Sequence, residues 1–173
     1  QRAVPHGGLD VSPKNLILRE HSRGWNGHPA LRGHRSGKSA SNNFAIKATD
    51  ANIESATLTF EDQIAGLEIA ITYKLDAHGV LTIESKLTNV ADGDYNVDQL
   101  INWLPLAPQA DELLDFYGHW TKERQPQRRA IAHGLNVREG FEGRSGHDYT
   151  ITSIALNHGT TFNAGEAWSI GLA

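Results

Sequence analysis

Along this chain apolar and polar residues alternate in twos far more often than they recur at helical spacing. The cleanest run is Gly66–Leu75, where Leu67, Ile69, Ile71, Tyr73 and Leu75 share one face against Glu68, Ala70, Thr72 and Lys74. Strict period-two alternation of this length predicts a strand with one face buried. Asp76-Ala-His-Gly79 follows as a short turn, with Gly79 suited to a left-handed position. The next run, Val80–Val90, puts Leu81, Ile83 and Leu87 on one face, so the two runs predict an antiparallel hairpin. Asp92-Gly93-Asp94 marks another tight reversal. Tyr95–Leu106 then alternates Tyr95, Val97, Ile101 and Trp103 with Asn96, Asp98 and Asn102, predicting a third long strand in a meander.

Shorter runs predict strands at Phe44–Ala48, Ile53–Glu61 and Tyr149–Asn157, and another beginning at Glu166. Asn15–Arg19 and Ala130–Arg138 are weaker candidates. The nearest approach to a helix is Pro108–Leu114, too short for more than a turn or two. About seven to nine strands joined by short turns predict an all-β, antiparallel sandwich, forming a single domain over residues 1–173.

Two stretches break the alternation. In Asp115–Arg129 the apolar residues Phe116, Tyr117 and Trp120 give way to Lys122, Arg124, Arg128 and Arg129. Pro126 lacks the N–H a sheet ladder needs, so this stretch reads as an irregular segment anchored by its side chains, Trp120 being a buried pin. His21–Arg35 is rich in Gly yet holds Trp25, His21, His28 and His34, and reads as a loop. Aromatic and Arg groupings favour interfaces, which nominates Trp120, Arg124, Arg128 and Arg129 as an interface set. Trp25 sits in a polar segment where an exposed indole could stack on a sugar ring. Trp103 and Trp168 fall in predicted strands and are assigned to the core.

Composition narrows the function classes. The 173 residues carry a formal net charge of −4, which argues against nucleic acid as the dominant partner. No apolar run approaches the length of a membrane span, and residues 1–8 hold no signal-peptide core. Cysteine is absent, which removes disulfides, thiolate zinc sites and Cys nucleophiles while leaving the compartment open; a cytoplasmic protein is the expectation. The first residue is not Met, and the apolar ending Glu166–Ala173 stops inside a strand-like run, so a piece of something longer is expected.

Local motifs add little chemistry. Gly33-His-Arg-Ser-Gly-Lys-Ser39 has three residues between its glycines where a phosphate-binding loop has four. No His-Glu-x-x-His occurs; His21, His28 and His34, with His147-Asp148 elsewhere, could assemble a metal site only in space, and no metal or other cofactor is expected. Gly143-Arg-Ser-Gly146 lacks the spacing of a nucleophile elbow.

Four segments in order are more specific: Val4–Asp10, Glu20–Arg35, Leu114–Arg129 and Gly143–Asp148. Together the chain resembles the N-terminal domain of the family 36 glycoside hydrolases, the bacterial α-galactosidase (melibiase) type. The resemblance implies a galactose-mutarotase-like β-supersandwich, here truncated at both ends. It also implies a following (β/α)₈ barrel carrying two catalytic aspartates in a retaining mechanism. Such a barrel needs ~250 residues, so no catalytic residue is assigned here. The implied partners are that barrel, neighbouring subunits and galactosides such as melibiose and raffinose. In tetrameric members the region resembling the Trp25 loop reaches a neighbour's active site. Many relatives have Asp there, within Gly-Asp-Phe-Arg-x-Pro, where this chain reads Gly24-Trp-Asn-Gly-His-Pro29. Trp25 and His28 are therefore the candidates for lining a sugar pocket. Two alternatives stand beside this reading: a free-standing carbohydrate-binding module with Trp25 as its platform, and a mutarotase-like epimerase using His as acid and base.

Overall fold

The structure is a computed structural model that describes residues 17–140, 146 and 152–172. The lead-in over residues 1–14, most of the Gly-rich stretch at 141–148, and the first residues of the strand expected at 149–157 lie outside the described residues. Ten antiparallel strands and one 3-10 turn, His21–Arg23, make up the described regular structure. The chain divides into two compact units, one up to Leu104 and one from Pro105 onward.

In the first unit a four-stranded sheet runs in the order β2-β3-β4-β5, and β1 pairs with β6. The strands are β1 Leu31–His34, β2 Ala45–Ala51, β3 Ser55–Asp62, β4 Leu67–Leu75, β5 Leu81–Asn89 and β6 Asn96–Leu100. The alternation in β4 does what it predicts: Leu67 and Ile69 are sealed from solvent and Ile71 nearly so. They pack with Phe60 from β3, Leu31 from β1, and Leu18, Ala30 and Phe44. Full burial of one such side chain contributes about 1.5–3 kcal/mol. The inward row fades toward the end of the strand, where Tyr73 is half-buried and Leu75 exposed. On the opposite face Lys47 pairs with Glu61 at 3.4 Å and also with Glu68.

The expected β4–β5 hairpin is present in full register, Leu75 facing Leu81 and Leu67 facing Asn89. Asp76 closes its turn by accepting from the backbone N–H groups of His78 and Val80, both at 2.8 Å. At the other end Asp62, itself buried, accepts from the N–H of Ile64 and Ala65 at 3.1 and 2.9 Å. Gly66 follows at φ +64, where a Cβ would lie 2.2 Å from that of Ala91.

Three expectations need correction here. The meander does not continue: β6 leaves the sheet and pairs with β1. The strand expected over Tyr95–Leu106 stops at Leu100, which takes Trp103 off any strand. Of Asn15–Arg19, the described residues 17–19 are not in a strand. Conversely, the stretch read as a loop at His21–Arg35 contains β1. Beyond it the motif at Gly33–Ser39 is a tight reversal, with Arg35 N–H to Lys38 O at 2.7 Å and Lys38 N–H to Arg35 O at 2.9 Å. Ser36 and Gly37 form that reversal at positive φ.

The second unit is a sheet in the order β10-β9-β7-β8, with β7 Glu112–His119, β8 Lys122–Ala130, β9 Thr152–Leu156 and β10 Ala167–Gly171. The stretch expected to be irregular is the β7–β8 hairpin. Pro126 stands opposite Phe116, and among the described residues β8 is an edge strand, the place where a sheet tolerates a residue without an N–H. No strand forms beyond Ala130 within residues 131–138. Gly118 allows the bulge between Tyr117 and His119, because a Cβ there would lie 2.3 Å from the Lys122 carbonyl oxygen.

Candidate functional site

The Trp25 loop is built from short-range backbone bonds. Glu20 is extended, and its carbonyl accepts from Arg23 N–H at 3.2 Å and Trp25 N–H at 3.1 Å. Gly24, at φ +83, ends the 3-10 turn, a conformation glycine adopts without steric cost. The loop closes where Ala30 N–H reaches the Arg19 carbonyl at 2.8 Å, and Ile101 N–H then bonds to Ala30 O at 2.8 Å.

The carboxylate of Glu20, buried beneath the loop, is fully committed. One oxygen accepts from Phe44 N–H at 2.7 Å and the other from Arg23 Nε at 3.2 Å. Arg23 also donates to Phe44 O at 2.7 Å. Burial pushes the Glu20 carboxyl above its ordinary pKa, while these bonds pull the other way. Beside it, a recess of about 20 Å³ lined by Arg19, Glu20, Asn42 and Phe44 has room for about one water. Both polar side-chain atoms of Asn42 are buried there.

The centre of the loop is a stack. The Arg19 guanidinium lies 4.0 Å from the Trp25 ring centroid and 3.6 Å from that of Trp103. Such contacts contribute about 0.5–2 kcal/mol each. The indole N–H of Trp25 donates to His28 O at 2.8 Å, and a Cβ on Gly27 would sit 2.9 Å from Trp25 Cζ2. The structure therefore brings Trp25 and His28 together, through the backbone of His28, and half-buries the indole against Arg19. His21 Nε2 lies 2.9 Å from Gly27 O. Among the described residues no group of three His, Cys, Asp or Glu side chains is placed to hold a metal ion.

Arg19 and Trp103 are the members that sequence reasoning missed. Trp103 looked like a strand residue facing the core, and Arg19 like the end of a weak strand. Their contact joins two distant segments, and no local pattern announces it.

The interface set lies on the β7–β8 hairpin. Trp120 and Thr121 form its two-residue turn, and Trp120 is 74% exposed, contrary to the expected buried pin. Thr121 takes φ +71 and Arg124 φ +54; a β-branched residue at positive φ is a conformational outlier. Arg128 pairs with Glu112 and donates to Thr160 O at 2.6 Å. Arg129 meets Asp115 at 2.9 Å and Arg138 meets it at 2.5 Å, with the Asp115 side chain only 4% exposed. Arg128 and Arg129 are thus committed to carboxylates of β7, while Trp120 and Arg124 project from the outer part of the hairpin.

The profile of the family described as "Glycosyl hydrolase family 36 N-terminal domain" matches residues 7–173. An alpha-galactosidase of Escherichia coli is 32% identical over 172 residues, covering 99% of this chain but 24% of its own length. The bifunctional alpha-galactosidase/sucrose kinase AgaSK of Mediterraneibacter gnavus is 24% identical over 128 residues, which is 73% of this chain and 14% of that protein. Among solved structures, the galactosidase domain of AgaSK superposes with a TM-score of 0.78 at 18% identity over 94% of this chain and 27% of its own. The GH36 alpha-galactosidase AgaA of Geobacillus stearothermophilus gives 0.78 at 16% identity over 97% of this chain and 28% of its own. These likenesses establish the fold, and the chain spans about a quarter of the length of the Escherichia coli relative. With its antiparallel sheets and the match over residues 7–173, the chain belongs to the family 36 glycosyl hydrolase N-terminal domains.

Proposed function

We propose that this chain is the non-catalytic N-terminal domain, a single β-sandwich domain, of a retaining α-galactosidase. The parent protein hydrolyses terminal α-galactosides such as melibiose and raffinose, and its reacting carboxylates stand on a barrel outside this segment. The observation that carries the reading is the family match together with coverage of only 24% of the Escherichia coli relative. The domain's work is to pack on its own barrel, to help assemble subunits and to supply one wall of the sugar pocket.

Within that reading Trp25 and His28 form the wall. Their loop is held from below by Glu20 and Arg23 and from the side by Arg19, so the indole is fixed before substrate arrives. Pre-positioning of this kind lowers the ordering cost of binding. Trp120 and Arg124 make the outer contacts of the hairpin, and Arg128 and Arg129 hold it in shape through Glu112 and Asp115. The experiment is Trp25→Ala and Trp120→Ala in the full-length enzyme. A pocket wall predicts a raised KM for raffinose with Trp25→Ala, and an assembly contact predicts weakened association with Trp120→Ala. Unchanged KM in the first and unchanged association in the second would remove these roles.

A further inference from the structure

The turn that carries Trp25 contains the one Asn-Gly pair of the chain, Asn26-Gly27. Both residues are exposed. Neither the Asn26 side chain nor the Gly27 N–H makes a hydrogen bond among the described residues. The groups around them are held: Trp25 Nε1 donates to His28 O at 2.8 Å, and His21 Nε2 lies 2.9 Å from Gly27 O. The other asparagines differ. Each is followed by a residue with a Cβ. Asn42 is buried, and the side chains of Asn52, Asn89 and Asn157 are engaged in hydrogen bonds.

Asparagine is a chemically labile residue, and most so before glycine, where no Cβ shields the next peptide nitrogen. With its proton lost to water, the Gly27 nitrogen attacks Asn26 Cγ. The N–Cγ bond forms, the Cγ–Nδ2 bond breaks, and the amide nitrogen leaves as ammonia, taking its proton from water. Water then opens the cyclic imide. Opening at the main-chain carbonyl of residue 26 leaves the chain routed through Cγ, an isoaspartate; opening at Cγ leaves an aspartate. One water is consumed, one ammonia is released, and nothing is oxidised or reduced.

The packing makes this glycine obligatory. A Cβ at position 27 would lie 2.9 Å from Trp25 Cζ2, in space the indole fills, so the shielding that would quench the reaction conflicts with the placement of Trp25. The product conflicts with the same packing. Isoaspartate lengthens the main chain by one carbon, about 1.5 Å of bond, between Trp25 and the residue its ring rests on. It also puts a carboxylate into a stretch that has no acidic residue from His21 to Thr49. We propose that Asn26 is a site of spontaneous modification in the folded protein, and that its conversion to isoaspartate pulls the Trp25 ring away from Arg19. The inference stands on the chemistry of the loop and needs no role for Trp25 in sugar binding.

The test is incubation of the full-length protein at physiological temperature, then peptide mapping by mass spectrometry and labelling with an isoaspartyl methyltransferase. The peptide holding Asn26 is expected to lose its amide and become methyl-accepting before any other asparagine peptide converts. The loss should run faster at mildly alkaline than at neutral pH, because the attacking nitrogen is the deprotonated one. Asn26→Gln should abolish the signal, since its longer side chain closes a larger ring more slowly. The near-UV circular dichroism of the tryptophans should shift along the same time course in wild type and stay constant in Asn26→Gln. Fresh Asn26→Asp brings the charge without the extra carbon and should keep the wild-type spectrum. An amide that persists at Asn26 in the folded protein while a urea-unfolded sample converts would overturn the proposal. So would conversion with no spectral shift, or a fresh Asn26→Asp that is already shifted. If Asn26→Gln does not fold, the wild-type time course with and without urea decides.

Discussion

Two regions of this chain combine tryptophan with arginine, and they treat the positive charge in opposite ways. On the β7–β8 hairpin Arg128, Arg129 and Arg138 are neutralised within the unit by Glu112 and Asp115. In the Trp25 loop Arg19 lies against two aromatic rings and meets no carboxylate among the described residues. The first arrangement rigidifies a hairpin and displays its tip. The second sets a guanidinium against two indoles. Arginine near tryptophan is therefore not one signal: the position of the carboxylates decides whether the charge is neutralised within the unit or set against aromatic rings.

The largest effect should come from breaking the neutralised side. Asp115 is buried under two arginines, and Asp115→Ala leaves both without their shared anion. Loss of one partner of a buried ion pair costs about 3–5 kcal/mol, so urea unfolding should show the second unit melting much earlier. A loss within about 0.5 kcal/mol, the range of an ordinary surface substitution, would show that the hairpin does not depend on this pair.

Arg19→Ala attacks the other side of the comparison and should do less to stability. It removes two cation–π contacts of about 0.5–2 kcal/mol each, while releasing a desolvated charge that opposes them. A net loss of about 1–2 kcal/mol is expected by thermal unfolding. A loss as large as that of Asp115→Ala would mean that Arg19 is as much scaffold as the hairpin arginines and would erase the distinction.

The smallest effect is a pH dependence. Burial raises the Glu20 carboxyl above its ordinary pKa in the folded chain, so between the unfolded and folded values the native state binds the extra proton. Stability contributed at this site is then highest below the unfolded pKa and falls as pH rises through the raised folded value. Wild type minus Glu20→Gln, measured as unfolding free energy across the mildly acidic range, should decline with rising pH. A difference that instead grows with pH would mean that the bonds from Phe44 and Arg23 outweigh burial.

The parts of the fold visible in the sequence are those in which one face is buried and the other wet. β4 alternates because Leu67, Ile69 and Ile71 enter a core while Glu68, Ala70 and Thr72 do not. The turn at Asp76–Gly79 was equally legible, since an Asp that caps backbone N–H groups and a Gly at positive φ are local requirements. β8 is almost wholly exposed, so burial imposed no alternation on it, and Pro126 at a sheet edge looked like a strand breaker. The meander failed for a different reason: whether β6 pairs with β5 or with β1 is a long-range choice that the turn at Asp92–Asp94 does not encode. The same holds for the site. Trp25 stood out by type and context, but the contact of Trp103 with Arg19 is tertiary and leaves no trace in spacing.

The most direct test of the account is hydrolysis of a chromogenic α-galactoside, measured in parallel on the full-length protein and on residues 1–173 alone. The account predicts galactose release by the full-length protein and none above buffer by the 173-residue segment. Enzyme-like turnover by the segment, or an inert full-length protein, would contradict it.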